Sequence, residues 1–230
     1  MDKTIKIWKI SNDDIITHIK TLEGHNDSVC QVIPLTNNII ASGSWDKTIR
    51  IWDINAYKEI RLLKEDFSIY SLVKLKNKDV MASSGNGYNN SVSFWNESTL
   101  IKEYSVSCCN CFSFNGLIEL PNHYLAVCGG ESLSIDIIDT QKYQLIKQIE
   151  CKDYIVNSDY LSSLRLLDDK TLIYSCGGSL CKISLTTYEI LFKIKMEDEF
   201  IGYAITSSIN GKYIISSNKK GGMSIFKLGK

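Results

Sequence analysis

Six segments of closely similar pattern recur at intervals of 43 to 45 residues, and this period limits the fold more than any other property of the chain. TIKIWKI, TIRIWDI and SVSFWNE align without gaps and place Trp8, Trp52 and Trp95 at spacings of 44 and 43. The series continues as SIDIIDT, LCKISLT and MSIFKLG, with Ile138, Ile183 and Phe226 in the tryptophan position. A fixed period of this length marks one supersecondary unit, repeated so that each copy covers its neighbour.

Each period divides into four short β-type runs separated by turn residues, as in VCQVIPL, NIIASGS, TIRIWDI and EIRLLK between Val29 and Lys64. No segment of comparable length has a helical period. In the third run Ile49 and Ile51 project to one side and Arg50 and Trp52 to the other, so both faces carry apolar groups and both need cover. Four-stranded sheets stacked face to face, each covering the next, are the blades of a β-propeller. The expectation is an all-β chain of four-stranded antiparallel blades. At 44% hydrophobic residues the 230-residue chain has an ordinary supply for such a core.

The best repeat also carries EGHNDSV before SGSWDKTIRIWD, a Gly-His and a Trp-Asp signature at compatible separation. On these motifs the chain resembles the WD40-repeat (G-beta-like) propeller family, with one complete repeat and degenerate copies over nearly the whole length. The resemblance implies a hydrogen-bonded tetrad of His25, Ser42, Asp46 and Trp52. The chemistry is consistent: Asp46 accepts from one imidazole nitrogen, the other accepts the Ser42 hydroxyl proton, and Ser42 accepts the indole N–H. A hydrolase triad of the same His, Asp and Ser would leave the tryptophan unexplained. Asp2 to Trp8 repeats the Asp46 to Trp52 spacing without an upstream histidine. The repeat with Ser83, Asn89 and Trp95 lacks Gly-His, so its tetrad is partial, and the later repeats rely on apolar packing.

The whole chain, 1–230, reads as one propeller domain with approximate repeats 1–22 (partial), 23–64, 65–106, 107–150, 151–195 and 196–230 (partial). Four whole blades flanked by partial ones imply an incomplete ring and missing N-terminal material, with room there for a fused module. Propellers of the family close by pairing an N-terminal fourth strand with three C-terminal strands, so the strand near Ile15 is the candidate to complete the last blade, leaving Thr4 to Ile10 over. A five-blade ring with that strand packed outside is the alternative. Open sheet edges in such a chain favour self-pairing.

Lys plus Arg and Asp plus Glu each number 26, which indicates no nucleic-acid partner. No apolar run reaches membrane-spanning length and the N-terminus lacks a signal-peptide core, so no membrane insertion is expected, and the location is read as cytoplasmic with the nucleus left open. His18, His25 and His123 have no metal-binding spacing, CCNC (Cys108 to Cys111) with Cys128 reads as thiols buried in strands, and no cofactor is implied.

The family resemblance implies that partners dock on the loop face near the central opening. The position before the tetrad aspartate is Trp45 here and Tyr88 and Glu131 in the next repeats. The start of the first strands supplies Cys30 and Tyr70, with Asn115 as the following equivalent. These residues are the candidate contact surface for a protein or peptide, because Trp and Tyr bury large areas at little entropic cost. The function expected is a non-catalytic interaction scaffold. A structural subunit buried in a large assembly, or an enzyme with a channel site built on Glu131 and Asp136, are the alternatives.

Overall fold

A computed structural model describes residues 2–76, 78–86, 91–107, 116–128, 134–150, 161–176, 179–195, 205–207, 213–217 and 223–227. Among these residues the chain is all β, apart from one 3-10 turn at Pro121–His123. A hairpin comes first, β1 (Ile5–Ile10) with β2 (Ile16–Leu22). Four antiparallel four-stranded sheets follow in meander order: β3 (Val29–Pro34) to β6 (Lys58–Lys64), β7 (Ser68–Lys74) to β10 (Lys102–Ser107), β11 (Leu117–Leu120) to β14 (Gln144–Glu150), and β15 (Leu161–Asp168) to β18 (Ile190–Lys195). A three-stranded sheet, β19 (Ile205–Ser207), β20 (Tyr213–Ser217) and β21 (Met223–Lys227), closes the series.

The sheets stack as blades with a constant polarity. In each blade the face carrying the two isoleucine positions of the third strand looks forward, and the face carrying the tryptophan position looks back. Ile49 and Ile51 of β5 (Thr48–Asp53) pack forward against Ile69, Leu72, Met81 and Trp95 of the second blade. The second blade packs on the third through Val92, Leu125, Val127 and Ile138. The third packs on the fourth through Ile135, Ile137, Leu172, Tyr174 and Ile183, and the fourth meets the last sheet through Ile173, Leu180 and Ile214. Period-2 alternation with apolar groups on both faces has this consequence: one face of each strand belongs to one core, the other to the next. Gly43 in β4 (Ile39–Ser44) sits at such a seam, where a Cβ would lie 2.5 Å from Ile69 Cγ2.

Toward the centre the first strands are bridged side by side. Gln31 Oε1 accepts from Ser71 Oγ at 3.1 Å and from Leu72 N–H at 2.9 Å, and Ser71 Oγ accepts from Leu117 N–H at 3.3 Å. Three blades are thereby tied around the axis.

Among the described residues the expected completion of the last blade by the strand near Ile15 does not occur. β2 pairs with β1 from Ile5↔Leu22 to Ile10↔Ile16, and neither strand pairs with β19–β21. A fourth strand has one neighbouring strand in its sheet, and the hairpin turn at Ser11–Asp14 delivers β1 to that edge locally. The outward faces at the two ends of the stack are therefore bare. Trp8 is 53% exposed where Trp52 and Trp95 are 2% and 5%, and Met223 and Ile225 are 76% and 68% exposed where Ile49 and Ile51 are enclosed.

The turns between third and fourth strands share one device. Asp53, Asn96, Asp139 and Ser184 each accept, through the side chain, from the backbone N–H groups two and three residues on. Four residues after each of these the chain enters the left-handed region, at Tyr57, Leu100, Tyr143 and Tyr188, with φ between 53° and 59°. A bulky residue in this region is strained and persists only where its surroundings hold it. Tyr143 is so held: its ring stacks on Tyr104 at 3.9 Å, meets Phe94 edge-on at 5.0 Å and lies under Lys78 Nζ at 4.8 Å.

Candidate functional site

The rim of the first two blades is built on the tetrad. Asp46, in the turn between β4 and β5, accepts from His25 Nδ1 at 2.9 Å, and His25 Nε2 lies 2.7 Å from Ser42 Oγ. Trp52 Nε1 donates to Ser42 Oγ at 2.8 Å. Asp46 is held further by Asn26 N–H at 2.9 Å and by Thr48 Oγ at 2.6 Å. With Nδ1 protonated and Nε2 accepting, the imidazole is neutral. Burial pushes its pKa below 6.5, against the pull of Asp46. Burial also raises the Asp46 carboxyl, but the hydrogen bonds from Thr48, Asn26 and His25 outweigh it and leave the group below its ordinary value. The network pins the loop before β3 to the turn before β5 and gives the rim a rigid base.

The second blade reaches the same end by other chemistry. Glu65 Oε1 accepts from Ser83 Oγ at 3.0 Å and from Trp95 Nε1 at 3.2 Å, and Trp95 Nε1 also reaches Ser83 Oγ at 3.1 Å. Glu65 Oε2 accepts from Lys102 Nζ at 2.7 Å, with the Glu65 side chain fully enclosed and that of Lys102 33% exposed. A carboxylate and an ammonium thus stand where the first blade has an imidazole. Sequence reasoning missed Glu65. The loop is one residue shorter here, Leu63 to Ile69 against Leu22 to Val29, so counting forward from Leu63 points to Asp66 and counting back from Ile69 points to Glu65.

Above this base lie Trp45, Cys30 and Tyr70. The Trp45 and Tyr70 rings are half-buried, with centroids 5.5 Å apart and planes tilted by 42° across the seam between two blades. Trp45 N–H donates to Ser28 O at 3.0 Å, and its carbonyl accepts from Ser68 Oγ at 3.0 Å, so backbone bonds to both blades fix the residue. Cys30 Sγ lies 3.7 Å from the same Ser28 O, and burial pushes its thiol up to about 11, where it is not a nucleophile near neutrality. Cys30 and Tyr70 are brought to the rim by one device. The register of β3 with β4 passes from Val29↔Ser44 to Gln31↔Gly43, and that of β7 with β8 (Val80–Asn86) from Ile69↔Gly85 to Ser71↔Ser84. Each residue is the extra one of a β-bulge, which re-aims a side chain that regular pleating would direct elsewhere. The register of β15 skips Ser162 in the same way.

Tyr88, Asn115 and Glu131 lie outside the described residues. Asp136 is fully buried within its blade and accepts from Gln148 Nε2 at 2.9 Å, so it belongs to the sheet and does not face the channel. Among the described residues no group of three or more His, Cys, Asp or Glu side chains is placed to hold a metal, and no helix is long and apolar enough to cross a membrane.

Residues 16–53 match the family model described as "WD domain, G-beta repeat". Similar proteins include the nuclear distribution protein PAC1 of Candida albicans, 49% identical over 55 residues that make up 23% of this chain and 10% of that protein. The small ribosomal subunit protein RACK1 of Drosophila melanogaster is 38% identical over 64 residues, 26% of this chain and 20% of that protein. The ribosome biogenesis protein WDR12 homolog of Drosophila mojavensis is 32% identical over 98 residues, 36% of this chain and 23% of that protein. The matches thus span a quarter or less of these relatives. Residues 16–53 thus form a WD40 repeat that carries the His25, Ser42, Asp46 and Trp52 network, and the four-stranded antiparallel blades around it are similar in architecture to the WD40-repeat proteins.

Proposed function

We propose that this protein is a non-catalytic interaction scaffold of the cytoplasm that binds a protein or peptide on the rim formed by Trp45, Tyr70 and Cys30, extended by Tyr88, Asn115 and Glu131. The observation that carries this reading is the Trp45–Tyr70 pair: two large aromatic rings at one blade seam, each placed by a backbone device that packing of the sheets does not require. Aromatic residues in a rigid, partly desolvated setting are the usual energetic centres of interfaces. The tetrad below supplies rigidity, and its histidine, with both ring nitrogens engaged, serves the fold and not catalysis. Names that refer to a ribosomal subunit and to ribosome biogenesis among the relatives favour a role within an assembly.

The test is the pair Trp45→Ala and Tyr70→Ala. Proteins that co-purify with the wild type and are lost with both variants are identified by mass spectrometry, and the strongest is then purified and titrated by calorimetry. Each substitution should weaken binding by about tenfold or more, while lowering thermal stability far less than Trp52→Ala. If Trp45→Ala destabilises as much as Trp52→Ala, or if the purified partner binds both variants unchanged, the rim is not the contact surface.

A further inference from the structure

The first strands that carry the rim at one end change character at the other. A cavity of about 450 Å³ opens there, walled by aliphatic side chains from three blades, Ile33, Leu72 and Ile118 among them. Three cations line it, Lys74, Lys76 and Arg165, and among the described residues no carboxylate does. The Lys74 ammonium donates to Leu35 O at 2.5 Å and to Glu97 at 2.7 Å, which leaves its third proton for another acceptor. Lys76 has an exposed side chain on a fixed backbone, because both carboxylate oxygens of Glu119 accept its N–H at 3.0 Å. It also borders a second cavity of about 730 Å³ beside Lys170 and His123, so the residue is shared by the two.

We propose that the smaller cavity binds an aliphatic carboxylate, with the hydrocarbon chain against Ile33, Leu72 and Ile118 and the carboxylate among Lys74, Lys76 and Arg165. Its volume falls in the range of small-molecule sites. A peptide suits it poorly, because every residue would bring an amide that needs hydrogen-bond partners, whereas aliphatic walls supply none. Gln31, the uncharged polar side chain at the wall, already has its carbonyl oxygen occupied by Ser71 and Leu72. An anionic head on an apolar chain matches a lining that is aliphatic apart from Gln31 and three cations. The site is at the opposite end of the strands from the rim and stands or falls independently of it.

Calorimetric titration of the full chain with octanoate, hexanoate, octanol and octylamine tests the assignment. Octanoate should bind, hexanoate about tenfold more weakly from the loss of two buried methylenes, and octylamine not measurably. Lys76→Gln, at an exposed side chain that leaves folding intact, and Arg165→Gln should each weaken octanoate binding by about tenfold or more, with octanol unaffected. Trp45→Ala should change none of these values. Equal binding of octanol or octylamine, no dependence on chain length, no effect of Lys76→Gln, or no octanoate binding at all would each overturn the proposal and leave the rim reading standing.

Discussion

Replacing Lys102 with methionine probes the substitute tetrad of the second blade most directly. The Glu65 side chain is 0% exposed, and its carboxylate is held by Ser83, Trp95 and the Lys102 ammonium at 2.7 Å. Lys102→Met removes the charged partner of an enclosed anion. Breaking a fully buried pair in this way costs about 3–5 kcal/mol, and the 33% exposure of the Lys102 side chain brings the value below that, to about 2–3 kcal/mol. Glu65→Gln should cost less, about 1 kcal/mol: an amide oxygen still accepts from Ser83 and Trp95, and Lys102 turns to water. The double variant is neutral and close to the original volume, so its cost should stay near that of Glu65→Gln alone. The singles then sum to about 3–4 kcal/mol, and the coupling is about 2–3 kcal/mol. Urea unfolding followed by tryptophan fluorescence, with Trp95 inside the network, measures all three. Additivity within about 0.5 kcal/mol, or Glu65→Gln costing more than Lys102→Met, would refute the assignment of Glu65 and Lys102 as one unit.

Three further outcomes follow from the structure. Because burial holds the folded-state pKa of His25 below 6.5, the unfolded chain takes up more protons in the window just under that value; the urea midpoint should fall as pH drops below about 6.5, level off above it, and lose this slope in His25→Gln, with a second loss below 3.8 as Asp46 protonates. Tyr57→Asn should stabilise by about 0.5–1 kcal/mol, since asparagine tolerates the left-handed backbone and the Tyr57 ring is 39% exposed, whereas Tyr143→Asn at the same backbone angle should destabilise through loss of the Tyr104 and Phe94 contacts; calorimetric melting of the two reads opposite signs. The bare faces at Trp8 and at Met223 and Ile225 should make the 230-residue chain self-associate with concentration, and Ile225→Lys should reduce this in sedimentation; a monomer at all concentrations would refute it.

The fold was legible because the period repeats one physical solution, and a repeated error is improbable across Trp8, Trp52, Trp95 and their apolar substitutes. The His25 tetrad was legible because all four residue types survive in one repeat. Glu65 was not, since the pattern preserves a job and not a residue: a buried acceptor for Ser83 and Trp95 is needed, and a carboxylate with Lys102 meets the need as well as an imidazole with an aspartate. Placing Cys30 and Tyr70 at the rim followed from strand position, but the bulge that turns them there is a property of register, which a single strand read alone does not contain. The pairing of β2 escaped the sequence for the same reason: two edges compete for one strand, and sequence names the strand without naming the winner.

The left-handed turn residues bear on how this molecule comes apart. Asp53, Asn96, Asp139 and Ser184 set the turn through their own side chains, so the strained position need not be glycine and is open to a ring that serves the neighbouring blade. At Tyr143 that ring joins the outermost strand of the second blade, through Tyr104, to the third. In a stack of repeats the sharpness of melting depends on the nearest-neighbour terms and not on the strength of any single unit. Tyr143 is then a coupler: without it the two halves of the stack should begin to melt as separate units, broadening one transition into two before either blade is much weakened.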